Sequence, residues 1–73
     1  MAKDIISVEV NGASHSFPVG ATVSTMIDAL NMAEQRLAIE INREIVPRSQ
    51  HPEHVLQAGD QIEIVRAIGG GQR

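Results

Sequence analysis

One segment of this chain carries a helical apolar stripe, and it sits among segments that alternate like strands. Val23, Met26, Ile27 and Leu30 fall at i, i+3, i+4 and i+7, which places them on one face of a helix. A lone helix cannot bury that face on other helices, so it has to cover a sheet. Thr22 supplies an N-cap hydroxyl ahead of it. The helix is predicted from Thr22 to Met32, with no glycine to mark its end. The chain has 73 residues and no cysteine, so it is one small domain held by packing alone. The lack of cysteine excludes a disulfide scaffold, an iron–sulfur site and a cysteine-based zinc site, and fits a reducing compartment.

Strand periodicity fills the rest. Ile6, Val8 and Val10 alternate along the first strand, and Asn11-Gly12 then predicts a tight hairpin turn. The return strand is read from Ser14 to Val19, with Phe17 and Val19 on one face. Pro18 has no N–H to donate, which assigns this strand to a sheet edge. Arg36 to Asn42 alternates Leu37, Ile39 and Ile41 inward against Ala38, Glu40 and Asn42 outward. A turn at Asn42-Arg43 leads to a short strand, Glu44 to Val46, which Pro47 ends as a second edge. Arg48 to Ala58 reads as irregular, anchored by Val55 and Leu56. Gly59-Asp60 is a turn, and the last strand is predicted from Gln61 to Ile68. The expected core is Ile6, Val8, Val10, Phe17, Val23, Met26, Ile27, Leu30, Ile39, Ile41, Ile62 and Ile64. The first and last strands are the most apolar and belong at the sheet centre. The result is an α+β chain with a mixed sheet of four or five strands and one principal helix, the β-grasp or ubiquitin-like architecture. Residues 1–68 form the domain, and residues 69–73 form a glycine-rich tail expected to be flexible.

Composition removes several function classes. The net charge is −3, and the six lysines and arginines are scattered. Phe17 is the one aromatic residue, so neither a basic patch nor a base-stacking platform exists for nucleic acid. No apolar run approaches the ~18 residues of a membrane span, and the N-terminal residues contain no apolar core of a signal peptide. A cytoplasmic place is expected. An enzyme pocket would compete with a minimal core for the same residues. His15, His51 and His54 lack the spacing of a metal site and are expected to be solvated. Glu40 and Glu44 flank a turn and are read as solvated side chains, not as an acid–base pair. No catalytic, metal-binding or cofactor-binding residue is assigned.

The informative feature is Gly69-Gly70-Gly71, which begins where the last strand stops. Glycine lacks a Cβ and adopts conformations closed to other residues, so it can thread a narrow channel. Five extended residues reach about 17 Å. A small acidic body with such a tail is a handle carrying a reactive arm. Ala38, Val65 and Ala67 are small or apolar residues on the open face of neighbouring strands near the tail, and form the expected partner surface.

Three segments together are similar to the ThiS family of sulfur carriers. They are Asn42-Arg43-Glu44-Ile45-Val46-Pro47-Arg48-Ser49-Gln50, Gly59-Asp60-Gln61-Ile62-Glu63-Ile64-Val65, and Ala67-Ile68-Gly69-Gly70-Gly71. Asn11-Gly12 and Gly20-Ala21-Thr22-Val23 match as well. The resemblance implies a protein co-substrate, not an enzyme. A ThiF-type adenylyltransferase, related to ubiquitin E1, would use ATP to adenylate the terminal glycine. Sulfur from a cysteine desulfurase would convert it to a thiocarboxylate, and a ThiG-type thiazole synthase would take that sulfur for thiamine. The carrier itself binds no cofactor. The reactive glycine of the family aligns with Gly71. Family members usually end at the diglycine, whereas Gln72-Arg73 follow here, so this form is expected to be a precursor. Other readings of the same features are a sulfur carrier for molybdopterin or another pathway, and a ubiquitin-like modifier or binding module.

Overall fold

The computed structural model describes residues 4–33 and 36–66. The elements are β1 (Ile5–Val10), β2 (Ala13–Pro18), α1 (Val23–Ala29), β3 (Leu37–Ile41), β4 (Glu44–Val46), a 3₁₀ turn (Arg48–Gln50) and β5 (Gln61–Arg66). The sheet is five-stranded in the order β2-β1-β5-β3-β4. β1 and β5 run parallel, while the pairs β1–β2, β3–β4 and β3–β5 are antiparallel. Both proline-limited strands lie at the edges and β5 lies in the middle, as the sequence predicts. The helix covers one face, the β-grasp arrangement.

Both hairpins close through two-residue turns of the same hand. Asn11 and Gly12 have φ of 51° and 86°, and Asn42 and Arg43 have φ of 53° and 72°. Positive φ at both positions matches the twist of the flanking strands. Val10 therefore pairs with Ala13, and Ile41 with Glu44. The return strand starts and ends one residue before its predicted bounds. Val19 is 60% exposed rather than inward, because the chain leaves the sheet after Pro18. Gly20 turns it at φ 93°, and Ala21, 5% exposed, takes the inward place.

The helix is shorter than predicted. Its N-terminus is closed by Thr22, whose Oγ1 accepts from the Thr25 N–H at 3.2 Å. The Val23 and Ser24 amides donate to the carbonyls of His54 and His51. Loop 48–58 thus supplies acceptors for helix donors that have no intrahelical partner. The helix ends at Ala29 because Asn31 turns left-handed at φ 61°. The Asn31 N–H reaches the Asp28 carbonyl and the Met32 N–H reaches the Ile27 carbonyl, each at 3.0 Å. Asparagine does here what glycine does in most such closures, and Met32 packs against the core just beyond. A helix this short is marginal alone and stands on its contact with the sheet. Replacing Thr22 by alanine is expected to cost about 1 kcal/mol in a denaturant titration.

The core holds Val8, Val10, Phe17, Val23, Met26, Ile27, Ile39, Ile41, Ile62 and Ile64, joined by Ala21, Val46 and Leu56. Ile6 and Leu30, expected inside, are partly buried against it. Ile6 lies at the end of β1 away from the β5 pairing, and Leu30 is the C-cap residue. Of the two loop anchors, Leu56 is buried at 2% exposure, whereas Val55 is 44% exposed and bridges Thr22 through its backbone.

His51 corrects the expectation of solvated histidines. It is 7% exposed, and its Nε2 lies 3.1 Å from the Val46 carbonyl. That contact ties the loop to the edge strand β4.

Candidate functional site

Alternation along β5 creates two unlike faces. Ile62 and Ile64 enter the core, so Gln61, Glu63 and Val65 open away from the helix. Across the ladder Val65 stands opposite Ala38, and Glu63 opposite Glu40. β4 adds Ile45 opposite Glu40. Val65 is 59% exposed and Ile45 is 71% exposed. The open face is therefore graded along β5. The Ala38–Val65 pair is small and apolar and lies beside Arg66, where the described chain leads toward the tail. Glu40, Glu63 and Glu9 make the other end acidic. They share a shallow cleft of about 260 Å³ with Arg43. Like charges placed directly opposite, as Glu40 and Glu63 are, weaken a sheet unless a cation intervenes.

Two of the three residues expected at a partner surface, Ala38 and Val65, are thus brought together. Ala67 and the tail glycines Gly69, Gly70 and Gly71 lie outside the described residues. Ile45 was missed as part of this face. Its signal is local: in Glu44-Ile45-Val46 the inward Val46 forces Ile45 outward.

The middle strand is held by two asparagine side chains, one from each hairpin turn. Asn11 Nδ2 donates to the Ile64 carbonyl at 3.2 Å, and its Oδ1 accepts from the Ile64 N–H at 2.9 Å. Asn42 Oδ1 accepts from the Gln61 N–H, and its Nδ2 donates to Asp60 Oδ1, each at 3.0 Å. Asp60 Oδ2 accepts from the Gln57 N–H at 2.8 Å, which partners a carboxylate only 6% exposed.

The candidates for side-chain chemistry are dispersed. Glu40 and Glu44 project to opposite faces of the sheet, since Glu44 pairs with the inward Ile41. His15 stacks on Phe17 with ring centroids 6.3 Å apart, while His51 and His54 belong to the loop at the helix start. Among the described residues, no group of three or more His, Cys, Asp or Glu is placed to hold a metal ion. No helix among them is long and apolar enough to cross a membrane.

A β-grasp body with an open sheet face along its last strand, followed in sequence by a run of glycines, is the arrangement of ubiquitin-like proteins. The sequence model of the ThiS family matches residues 4–71, and the chain belongs to that family. It is 40% identical over 52 residues to the sulfur carrier protein ThiS of Escherichia coli K12, covering 71% of this chain and 79% of that one. It is 37% identical over 67 residues to a protein of Magnetococcus marinus named thiazole synthase, covering 92% of this chain. It spans 21% of that relative and 19% of the thiazole synthase of Paramagnetospirillum magneticum, about a fifth of each. In three dimensions it is similar to the crystal structure of the thiamine biosynthesis protein ThiS from Geobacter metallireducens. The TM-score is 0.77 at 25% identity, covering 90% of this chain and 100% of that one.

Proposed function

We propose that this chain is a cytoplasmic sulfur carrier of thiamine biosynthesis, a protein substrate that performs no catalysis of its own. The observation that carries this reading is the family match, which runs through the whole body and the glycine run and stops at Gly71. The relative from Escherichia coli bears the name of a sulfur carrier.

The chemistry follows from what a carboxylate lacks. It is anionic and has a poor leaving group, so it resists attack by sulfur. A carboxylate oxygen of terminal Gly71 displaces pyrophosphate from ATP and forms an acyl-adenylate on a ThiF-type adenylyltransferase. The terminal sulfur of a persulfide, supplied by a cysteine desulfurase, attacks the carbonyl carbon and AMP leaves. Thiol reduction of the resulting acyl disulfide releases the thiocarboxylate. Its sulfur is anionic at neutral pH and is the nucleophile passed to a ThiG-type thiazole synthase. ATP belongs to the activating partner, and the carrier needs no bound cofactor. Gly69, Gly70 and Gly71 admit the terminus to a channel too narrow for side chains. Residues that follow Gly71 have to be removed first.

The reading is tested by incubating the chain ending at Gly71 with ATP, the adenylating enzyme and a persulfide donor. Its mass should rise by the replacement of one oxygen atom with sulfur. Conjugates to lysines of other proteins, with no such thiocarboxylate, would mark a modifier instead.

The open sheet face is the docking surface in this reading, with Ala38 and Val65 at the end from which the sequence runs on to Ala67 and the glycines, and Ile45 one row behind. A carboxylate placed among apolar contacts loses its water without gaining a partner. Val65→Asp is expected to raise the KM for the carrier in adenylation about tenfold, equivalent to about 1.4 kcal/mol of docking energy. Thermal stability should stay near the native value, because Val65 is already exposed. An unchanged KM would remove this face from the interface.

A further inference from the structure

β1 and β5 run side by side but do not end together. The chain turns at Asn11-Gly12, so the β1–β5 ladder covers only Glu9 with Gln61 and Val10 with Ile62, whereas β5 continues to Arg66. The last backbone bond of that ladder is the Asn11 N–H to the Ile62 carbonyl at 2.9 Å. A parallel strand that went on would next offer the carbonyl of residue 11 to the N–H of residue 64. The left-handed turn at Asn11 takes that carbonyl elsewhere, and the side chain fills the place. Its Oδ1 receives the Ile64 N–H, and its Nδ2 reaches the Ile64 carbonyl. One amide thus adds a further rung to a strand that has already turned away. Beyond it, β5 is held along its other edge by β3, with Val65 on Ala38 and Arg66 on Leu37.

We propose that Asn11 is a positioning residue for activation of the C-terminus: its side-chain amide fastens Ile64 and so fixes the line along which β5 delivers the arm. This rests on the sulfur-carrier reading above. Ile64 precedes Gly71 by seven positions. A strand end held on one edge has more directions open to it than one held on both. A reacting carboxylate misplaced by about 1 Å can lose up to a hundredfold in rate. The turn alone does not account for the residue, since glycine satisfies the same φ. Of the small residues that accept positive φ, only asparagine carries both the donor and the acceptor that Ile64 uses.

The fold supplies its own control. Asn42 sits at the matching position of the other hairpin turn, with φ 53°, and fastens Gln61 at the start of β5. Asn42→Gly removes side-chain bonds of the same kind at the end of the strand remote from the arm. The experiment compares chains ending at Gly71: native, Asn11→Gly, Asn11→Asp and Asn42→Gly. Each is assayed by ATP–pyrophosphate exchange on the adenylating enzyme across a range of carrier concentrations. Amide hydrogen exchange is measured in parallel.

Asn11→Gly is expected to speed exchange at the Ile64 amide and to lower kcat about tenfold, with KM for the carrier within about twofold of native because the docking face is untouched. Asn11→Asp keeps the acceptor and loses the donor, so its kcat should lie between the two. Asn42→Gly should lose stability and keep kcat within about twofold of native. Native kcat in Asn11→Gly, with Ile64 exchanging faster, would overturn the proposal. So would an equal fall of kcat in the two glycine variants, which would mark general destabilisation. Should either glycine variant fail to fold, Asn11→Asp decides: a native kcat there also overturns the proposal. Failure of the native chain to support exchange would bring down the carrier reading itself. Native exchange with an indifferent Asn11 refutes only the positioning role.

Discussion

With Gln72 and Arg73 in place, the chain is expected to support about a hundredfold less pyrophosphate exchange than the chain ending at Gly71. While Gln72 follows, the Gly71 carbonyl is part of a peptide bond and has no carboxylate oxygen to attack ATP. In a form that ends at Arg73, the terminal carboxylate would stand on Arg73, beside a guanidinium. A channel that admits only glycine would have to desolvate that cation without pairing it, at several kcal/mol, and each 1.36 kcal/mol is tenfold in rate. The measurement is exchange on the adenylating enzyme by three verified forms, ending at Arg73, Gly71 and Gly70. Equal exchange by intact full-length chain would show that the added residues are tolerated. A Gly70 form matching the Gly71 form would move the reactive residue by one.

The other large effect lies in the core. Ile39 is 0% exposed at the middle of β3 and faces Ile64 on one side and Val46 on the other. Ile62, 2% exposed, sits between Val10 and Ile41 across the two ladders of β5. Truncating either to alanine removes buried methyl groups and leaves a void flanked by strands that cannot collapse far. The expected cost is about 2–5 kcal/mol in urea or thermal unfolding. Domains in general have only about 5–15 kcal/mol to lose, and a chain with no disulfide to fall back on lies toward the lower end. Ile45→Ala makes the contrast on the same sheet. At 71% exposure its loss should change stability by less than about 0.5 kcal/mol. An Ile39→Ala variant as stable as Ile45→Ala would mean that the inward and outward faces of the sheet are misassigned.

The two kinds of outcome in this fold divide by the range of the forces involved. Local periodicity and turn chemistry were legible in the sequence. Asn11-Gly12 and Asn42-Arg43 set both hairpins because positive φ at both turn positions leaves one strand register. Pro18 and Pro47 placed β2 and β4 at the edges because neither can donate to a further strand. The spacing of Val23, Met26 and Ile27 put one helical face on the sheet, and the alternation of β3 and β5 put Ala38 and Val65 on the open side. The reading of the glycine run as an arm rests on the sequence and the family match, since those residues lie outside the described ones. What the tertiary structure decided was the fate of groups that had more than one local option. The helix stopped at Ala29 because Asn31 turned left-handed and Met32 found the core, which no nearby glycine announced. His51 went inside because the Val46 carbonyl, at the end of an edge strand, was there to meet it. Asn11 and Asn42 read as turn residues, and that they are. Only the folded chain brings Ile64 to the one and Gln61 and Asp60 to the other, 53, 19 and 18 positions away. A local pattern records which way a side chain points, but not which distant backbone group will be waiting there. A polar side chain that can be satisfied equally well by water leaves no periodic trace of the partner it finds.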